Sequence, residues 1–438
     1  MSVAATDCTL ATGSPPDAAL RAATDRYAAR NPASLQRWQA AEKAMPGGNT
    51  RTVLYYEPFP LCMVRGEGCS LFDADGHRYV DLLGEYTAGI YGHSNPIIQR
   101  AVVRALENGI SLSAHNHLEL GLARLICERF GSIQLLRFTN SGTEANLMAL
   151  ATAVAATRRK RILVFQDSYH GGVLAFGTEP SRTTVPHDFI VAPYNDVDAV
   201  RSLIREQAGS LAAVLVEPML GAGGCIPGEP AFLEMLAQET RIAGAILIFD
   251  EIQTSRLSPG GRQALLGISP DLTTLGKYFG GGLSFGAFGG RKDLMAQYDP
   301  RRPDHLAHAG TFNNNVLSMA AGYAGLSEIL TAGALDGLNR RGDALREALN
   351  QLFAESRSRL HVTGLGSLMN FHSKGSAGAA RDVLRLLFFD LLERGFYSSP
   401  RGLVALSLLV GDTEVAAFLQ VVRKILLANG AIYALGHS

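Results

Sequence analysis

The sequence predicts an α/β protein with a large domain on a mostly parallel, seven-stranded sheet and a smaller α+β domain. Three observations carry this. At 438 residues the chain exceeds what one hydrophobic core usually organises, so two domains are expected. Between 135 and 291, short apolar runs without polar alternation are separated by helical segments, the pattern of a parallel sheet covered on both faces. Beyond 320 the chain turns helical, with two brief alternating runs at 360–362 and 368–372.

Taken in order, residues 1–24 are small, polar and proline-containing and are expected to form a loose end, running into a helix near 19–30. A second helix over 34–44 should stop at Met45-Pro46-Gly47-Gly48. Arg51 follows, between that glycine turn and Tyr55-Tyr56. Residues 69–83 read as a β-hairpin turning at Asp73-Ala74-Asp75-Gly76, and 84–93 as a glycine-rich loop. Amphipathic helices are expected at 95–108 and 117–130. The candidate strands are 135–139, 161–166, 189–192, 212–217, 245–250, 272–276 and 285–289. Helices follow at 319–331, 334–353, 379–395 and 413–429. This divides the chain into an N-terminal part of the small domain (25–83), the large domain (84–325) and the rest of the small domain (326–438). Because chain ends often lie together, the hairpin is expected to complete the small domain.

Forty basic side chains balance forty acidic ones, which leaves no electrostatic footprint for nucleic acid or an acidic membrane surface. Small molecules are the expected partners. Cys8, Cys62, Cys69, Cys127 and Cys225 are scattered and lack a CxxC pair, so neither a disulfide framework nor a metal site is expected. The first sixteen residues lack a basic region followed by an apolar run, and no apolar stretch reaches the roughly 18 residues a bilayer needs. A cytoplasmic protein is expected.

Ligands in open parallel sheets bind beyond the carboxyl ends of the strands, so the polar residues just after each strand carry the function. After 135–139 come Ser141, Gly142 and Thr143 at a helix start, a phosphate cradle or an ordinary N-cap. After 161–166, Tyr169 precedes Gly171-Gly172 and could stack on a flat ring or cap the core. The strand 212–217 ends in Glu217. The strand 245–250 ends in Asp250, and a buried carboxylate there needs a partner such as a protonated ring nitrogen. After 272–276 stands Lys277, followed by Gly280-Gly281-Gly282, where partial desolvation favours the neutral amine that attacks a carbonyl. Phosphate cradle, aromatic, buried aspartate and Schiff-base lysine are together what pyridoxal 5'-phosphate requires.

These residues resemble the class III aminotransferases, a branch of the fold-type I pyridoxal-phosphate enzymes, from about residue 25 to about 435. The resemblance rests on Asn140-Ser-Gly-Thr-Glu-Ala-Asn146, Tyr169-His-Gly-Gly172, Glu217-Pro218, Asp250-Glu-Ile-Gln-Thr254, Gly276-Lys277 and Gly310-Thr-Phe-Asn-Asn314, in that order. It implies that Ser141, Gly142 and Thr143 hold the phosphate, Tyr169 stacks on the ring, Ile252 packs its other face and Gln253 lies near its phenolic oxygen. Asp250 would pair with the ring nitrogen, Lys277 would carry the cofactor, and Glu217 would belong to the same cofactor site. Thr311 is expected to reach the phosphate of a neighbouring subunit, which implies a homodimer with active sites at the interface. One departure stands out: the family usually has glycine after Asp-Glu-Val-Gln-Thr, and here Ser255-Arg256 follows, which leaves the shape of that loop open.

Within the class, the segments 50–61, 84–89 and 397–402 are similar to the β-phenylalanine aminotransferases. That similarity implies that Arg51 binds the carboxylate of a β-amino acid, preferably (S)-β-phenylalanine, and that Arg401 binds the distal carboxylate of 2-oxoglutarate, with pyruvate as another acceptor. Glutamate-1-semialdehyde 2,1-aminomutases share the scaffold, so intramolecular amino transfer is one alternative and an ω-amino acid aminotransferase of other specificity is another. A nucleotide-binding oxidoreductase ranks low because no strand is followed by GxGxxG. A non-catalytic scaffold is opposed by the intact Lys277 and Asp250.

Overall fold

The computed structural model describes residues 15–434. Its main sheet has seven strands in the order Leu135–Thr139, Gly286–Gly290, Leu272–Gly276, Ile246–Asp250, Leu211–Val216, Arg161–Phe165 and Asp188–Ala192. The three strands Leu211–Val216, Ile246–Asp250 and Leu272–Gly276 are buried at every position, which is why they read as continuous apolar runs rather than alternating ones. All seven expected strands are present within a residue or so of their expected ends. The pairing is parallel except at Gly286–Gly290, which runs antiparallel to both neighbours.

Leu135–Thr139 lies at one edge, and the next strand in the chain, Arg161–Phe165, lies five places further across the sheet. The connecting helix Gly142–Thr157 therefore crosses the middle of the sheet, packing on Leu272–Gly276, Gly286–Gly290 and Leu211–Val216 through Ala145, Asn146, Ala149, Leu150 and Ala153. This crossing carries the helix N-terminus to the carboxyl ends of the central strands.

The expected hairpin forms from Ser70–Asp73 and Arg78–Asp81, with Gly76 at φ +88 in its turn. Met63–Glu67 adds a strand that was not expected, and its exposed Val64 and Arg65 explain why. Phe396–Tyr397 pairs parallel with Arg78–Asp81, so the C-terminal part of the chain does complete the N-terminal sheet. A separate sheet joins Leu360–Leu365, Leu368–Ser373 and Leu403–Ala405.

The helices Ala332–Glu355, Ala377–Glu393 and Asp412–Ala428 follow the expected course. The expected helix 319–331 instead begins at Val316 and ends in a π-turn, Gly325–Ile329. The loose end expected over 1–24 is corrected in part: a helix runs from Pro15 to Arg30 and packs on Ala377–Glu393, while residues 1–14, including Cys8, lie outside the described residues. Proline suits a first helical turn because its missing N–H would have no partner there. No helix among the described residues is long and apolar enough to cross a membrane.

Candidate active site

Asp250 ends its strand buried, 4% exposed, and is surrounded by donors. Asn146 Nδ2 donates to its Oδ2 at 2.8 Å, the backbone N–H of Ile252 donates to Oδ1 at 3.0 Å, and His170 Nδ1 lies 2.8 Å from Oδ2. Asn146 comes from the second turn of the crossing helix. Its own oxygen accepts from Thr274 Oγ1 at 2.7 Å, and its amide also donates to the His170 carbonyl at 2.9 Å. These bonds meet the need of a carboxylate removed from water. Two polar atoms nearby have no protein partner: His170 Nε2 and Gln253 Oε1.

Lys277 follows the neighbouring strand Leu272–Gly276 with φ +56, and its Nζ donates to the carbonyl of Tyr86 at 2.6 Å. Burial lowers its pKa from 10.5 to about 8, against the opposing pull of Asp250, Glu217 and Glu85; Arg51 adds to the lowering. Tyr86 sits in an unusual turn. Gly84, Glu85, Tyr86 and Thr87 have φ of 54, 48, 52 and 79, a left-handed stretch that costs L-residues roughly 1–2 kcal/mol each. Packing and hydrogen bonds must hold it. Asp81 Oδ1 accepts from the N–H groups of Leu83 and Gly84 at 2.8 and 2.9 Å, Gly89 N donates to Gly84 O at 2.7 Å, and Tyr86 Oη donates to Val53 O at 2.7 Å.

Ser141 caps the crossing helix, its Oγ accepting from Glu144 N at 3.2 Å. Close approach demands glycine here. A Cβ on Gly142 would stand 2.4 Å from Ile252 Cδ1, and one on Gly171, itself at φ +126, would stand 2.1 Å from Thr143 Oγ1. Ile252 and Thr143 are thereby brought against the helix start and the segment after Tyr169. Gln253 lies against Gly221, where an added Cβ would meet its Nε2 at 2.0 Å. Glu217 accepts from Tyr169 N at 2.9 Å and from Gly221 N at 3.0 Å. Burial drives its carboxyl well above the usual range, with His170 opposing and Asp250 adding to the rise. The Tyr169 side chain remains 45% exposed, facing a cavity of about 500 Å³ that Arg401 also lines.

Arg51 pairs with Glu85 at 2.5 Å and lies over the Tyr86 ring, 5.6 Å from its centroid. Burial raises the Tyr86 phenol, while Arg401 and then Arg51 pull it back down, so both arginines bear on the same ring. Arg51, Glu85 and Tyr86 line a second cavity, about 670 Å³, together with Gly281 and Leu283.

The strand ends thus bring together Ser141, Gly142, Thr143, Tyr169, Glu217, Asp250, Ile252, Gln253 and Lys277, with Arg51 over the Tyr86 ring and Arg401 lining the cavity beside Tyr169. Thr311 is different. It is exposed, on a segment where Asn313 Oδ1 accepts from Asn140 Nδ2 at 3.1 Å, and among the described residues no hydrogen bond ties it to the strand ends. The loop after Thr254, open from sequence, is a buried 3-10 turn over Thr254–Leu257. Asn146, His170 and the Tyr86 carbonyl were not singled out from the sequence. Asn146 carried a usable signal, an amide leading into a largely apolar stretch of helix.

The family model for aminotransferase class-III matches residues 54–426. A beta-phenylalanine transaminase from Variovorax paradoxus is 54% identical over 95% of this chain and 98% of its own length. A glutamate-1-semialdehyde 2,1-aminomutase from Desulforudis audaxviator is 38% identical over 87% of this chain and 94% of its own. The crystal structure of a beta-phenylalanine aminotransferase from Variovorax paradoxus superposes with a TM-score of 0.94 at 53% identity, covering 96% of this chain and 100% of that one.

Proposed function

Because the chain belongs to the class III aminotransferases, which move amino groups with pyridoxal 5'-phosphate, we propose that it transfers the amino group of an aromatic β-amino acid to a 2-oxo acid. The donor we favour is (S)-β-phenylalanine and the acceptor 2-oxoglutarate or pyruvate. The observation that carries this reading is a buried lysine amine at the end of the strand paired with the one that ends in a buried, hydrogen-bonded aspartate, with Arg51 over the Tyr86 ring and Arg401 acting electrostatically on the same phenol. The residues fit the cofactor. His170 Nε2 and Gln253 Oε1 are buried without partners, and Gly142 and Gly171 leave the helix start clear.

Ser141, Gly142 and Thr143 would hold the phosphate through free N–H groups and hydroxyls at the helix start. Tyr169 and Ile252 would hold the ring, Gln253 would serve its phenolic oxygen with Glu217 in the same site, and Asp250 would pair with the ring nitrogen. Bound there, pyridoxal phosphate supplies the electron sink for the pair left when the amine-bearing carbon loses its proton. Lys277 Nζ takes that proton and returns it, and a pKa near working pH suits both steps. Arg51 binds the donor carboxylate, which must displace Glu85. Arg401 binds the distal carboxylate of 2-oxoglutarate and withdraws for an aromatic group, which a long exposed side chain can do.

We assign the second subunit of a homodimer to cover Thr311. The apolar side chains Phe312, Leu112 and Ile110, exposed by 63, 44 and 49%, support this. The unpaired thiols Cys62, Cys69, Cys127 and Cys225 suit a reducing cytoplasm.

The deciding experiment is a half-reaction: β-phenylalanine alone should convert the pyridoxal form of the enzyme to the pyridoxamine form, read in the visible absorbance. No conversion overturns the donor assignment. The aminomutase among the relatives supports a second reading, intramolecular transfer. Product formed from one substrate without an added 2-oxo acid would establish it.

A further inference from the structure

Arg256 is among the bulkiest fully buried side chains, 1% exposed, and none of the described carboxylates pairs with it. Burial lowers its guanidinium pKa to about 10. Its Nη1 donates to the Thr87 carbonyl at 3.4 Å, its Nη2 donates to the Leu406 carbonyl, and its Nε has no partner. A cation taken from water without a counter-ion costs stability that carbonyls offset only in part, so its retention calls for a reason.

The reason lies in what it joins. Arg256 stands in the 3-10 turn Thr254–Leu257, directly after the loop of Asp250 and Gln253. The backbone of that turn is pinned by Asn339, whose amide donates to the carbonyls of Arg256 and Leu257 at 2.9 and 3.1 Å and whose oxygen accepts from Ser367 N at 2.9 Å. The guanidinium end reaches the left-handed turn at its most strained residue, the β-branched Thr87 at φ +79. Thr87 is one peptide beyond the carbonyl that Lys277 Nζ contacts.

We propose that Arg256 is a positioning residue for amino transfer: by holding the Thr87 carbonyl it keeps the Gly84–Thr87 turn left-handed, so that the Tyr86 carbonyl stays on Lys277 Nζ and the Tyr86 ring stays against Arg51. This rests on the reading of Lys277 as the reacting amine. With the carbonyl released, Thr87 relaxes toward negative φ, and the Tyr86–Thr87 peptide swings off the lysine.

The test uses the full chain with Arg256→Met and Arg256→Lys, and Leu349→Ala as a control that lowers Tm from a buried core position ten residues along the helix from Asn339. In the cofactor-free protein, the pH midpoint for acylation of Lys277 is followed by mass spectrometry; the groups facing that amine are Asp250, Glu217, Glu85 and Arg51. Loss of the carbonyl acceptor disfavours the ammonium, so in Arg256→Met the midpoint should fall by about half a pH unit or more. In the loaded enzyme, kcat should fall about tenfold or more while cofactor content stays unchanged. Arg256→Lys, able to reach one carbonyl, should lie between. Leu349→Ala, matched for Tm, should leave the midpoint in place. An unchanged midpoint in Arg256→Met, or in Arg256→Lys where the former does not fold, overturns the proposal. If neither folds, Arg256 serves the fold alone and the proposal also falls. Acylation reads the turn whatever the substrate, so failure of the donor assignment leaves this result separate.

Discussion

Asn146 and Asp250, 104 positions apart in the chain, meet in a 2.8 Å hydrogen bond at the centre of the site. The amide arrives on the crossing helix and the carboxylate on a central strand, so the bond ties the helix start to the carboxyl end of that strand. Replacing Asn146 with alanine leaves Asp250 short of a donor and Thr274 Oγ1 short of an acceptor, and should destabilise the protein by about 1–3 kcal/mol. Asp250→Asn removes the charge with little change of shape and should lower the half-reaction rate by about 100-fold or more while leaving Tm within a few degrees. Stopped-flow absorbance and thermal melts separate the two effects. A fast Asp250→Asn enzyme would remove the aspartate from the mechanism.

The depressed pKa of Lys277 makes a two-part prediction. Its neutral amine gains population as pH rises through about 8, where an unburied lysine would need 10.5. Capture of the cofactor by the cofactor-free enzyme should therefore speed up about tenfold per pH unit below that value and level off above it. In the window from about 8 to 10.5 the unfolded chain still holds the proton that the folded chain has released, so folding stability of the cofactor-free protein should rise with pH there. Lys277→Met should abolish both the capture and that share of the stability slope. Denaturant titrations across the window measure it.

Arg51 is paired with Glu85, so a carboxylate substrate taken up by Arg51, as proposed, would have to displace it. Arg51→Ala should raise KM for a β-amino acid about 10- to 100-fold and barely touch an amine of the same shape without a carboxylate. Glu85→Gln should lower KM two- to fivefold, a modest effect because both side chains are well exposed, 45% and 61%. Equal effects of Arg51→Ala on both donors would refute a carboxylate site at this position.

Two glycines test the cofactor cradle. Gly171→Ala would put a Cβ 2.1 Å from Thr143 Oγ1 at a backbone φ of +126, and should cost about 1–3 kcal/mol of stability. It should also shed cofactor on dialysis against phosphate. Gly177, with nothing within 4 Å of an added Cβ, is the control, and its alanine variant should match the parent within about 0.5 kcal/mol. Equal retention by the two variants would detach Thr143 from the phosphate.

Subunit assembly has its own signature. Phe312→Glu should shift the sedimenting species from dimer toward monomer, and Thr311→Ala should weaken cofactor retention several-fold in a protein that remains dimeric. A monomeric, fully active parent protein would exclude a shared site.

Seven strands, their mostly parallel pairing, the helix start at Ser141 and the candidate site residues were legible in the amino-acid pattern alone, whereas the strand order that makes the helix Gly142–Thr157 cross the sheet belongs to the tertiary structure. Strands such as Leu211–Val216 and Ile246–Asp250 are buried on both faces and so are apolar up to their last residue, and the candidate functional groups sit at the first polar positions at or just beyond their ends. Asp250, Lys277 and the Ser141–Thr143 helix start were legible for that reason. The partners that make Asp250 tolerable were not, because Asn146 and His170 reach it through contacts across the fold that no local pattern encodes. Nor was the conformation of Glu85, Tyr86 and Thr87. L-residues avoid positive φ when left to themselves, so only the surrounding packing, Asp81 and Arg256 among it, holds them there. Ser255-Arg256 read as a departure from a family pattern; the tertiary structure made of it a buried guanidinium between two carbonyls, a place reached only when segments 169 and 150 positions away come together.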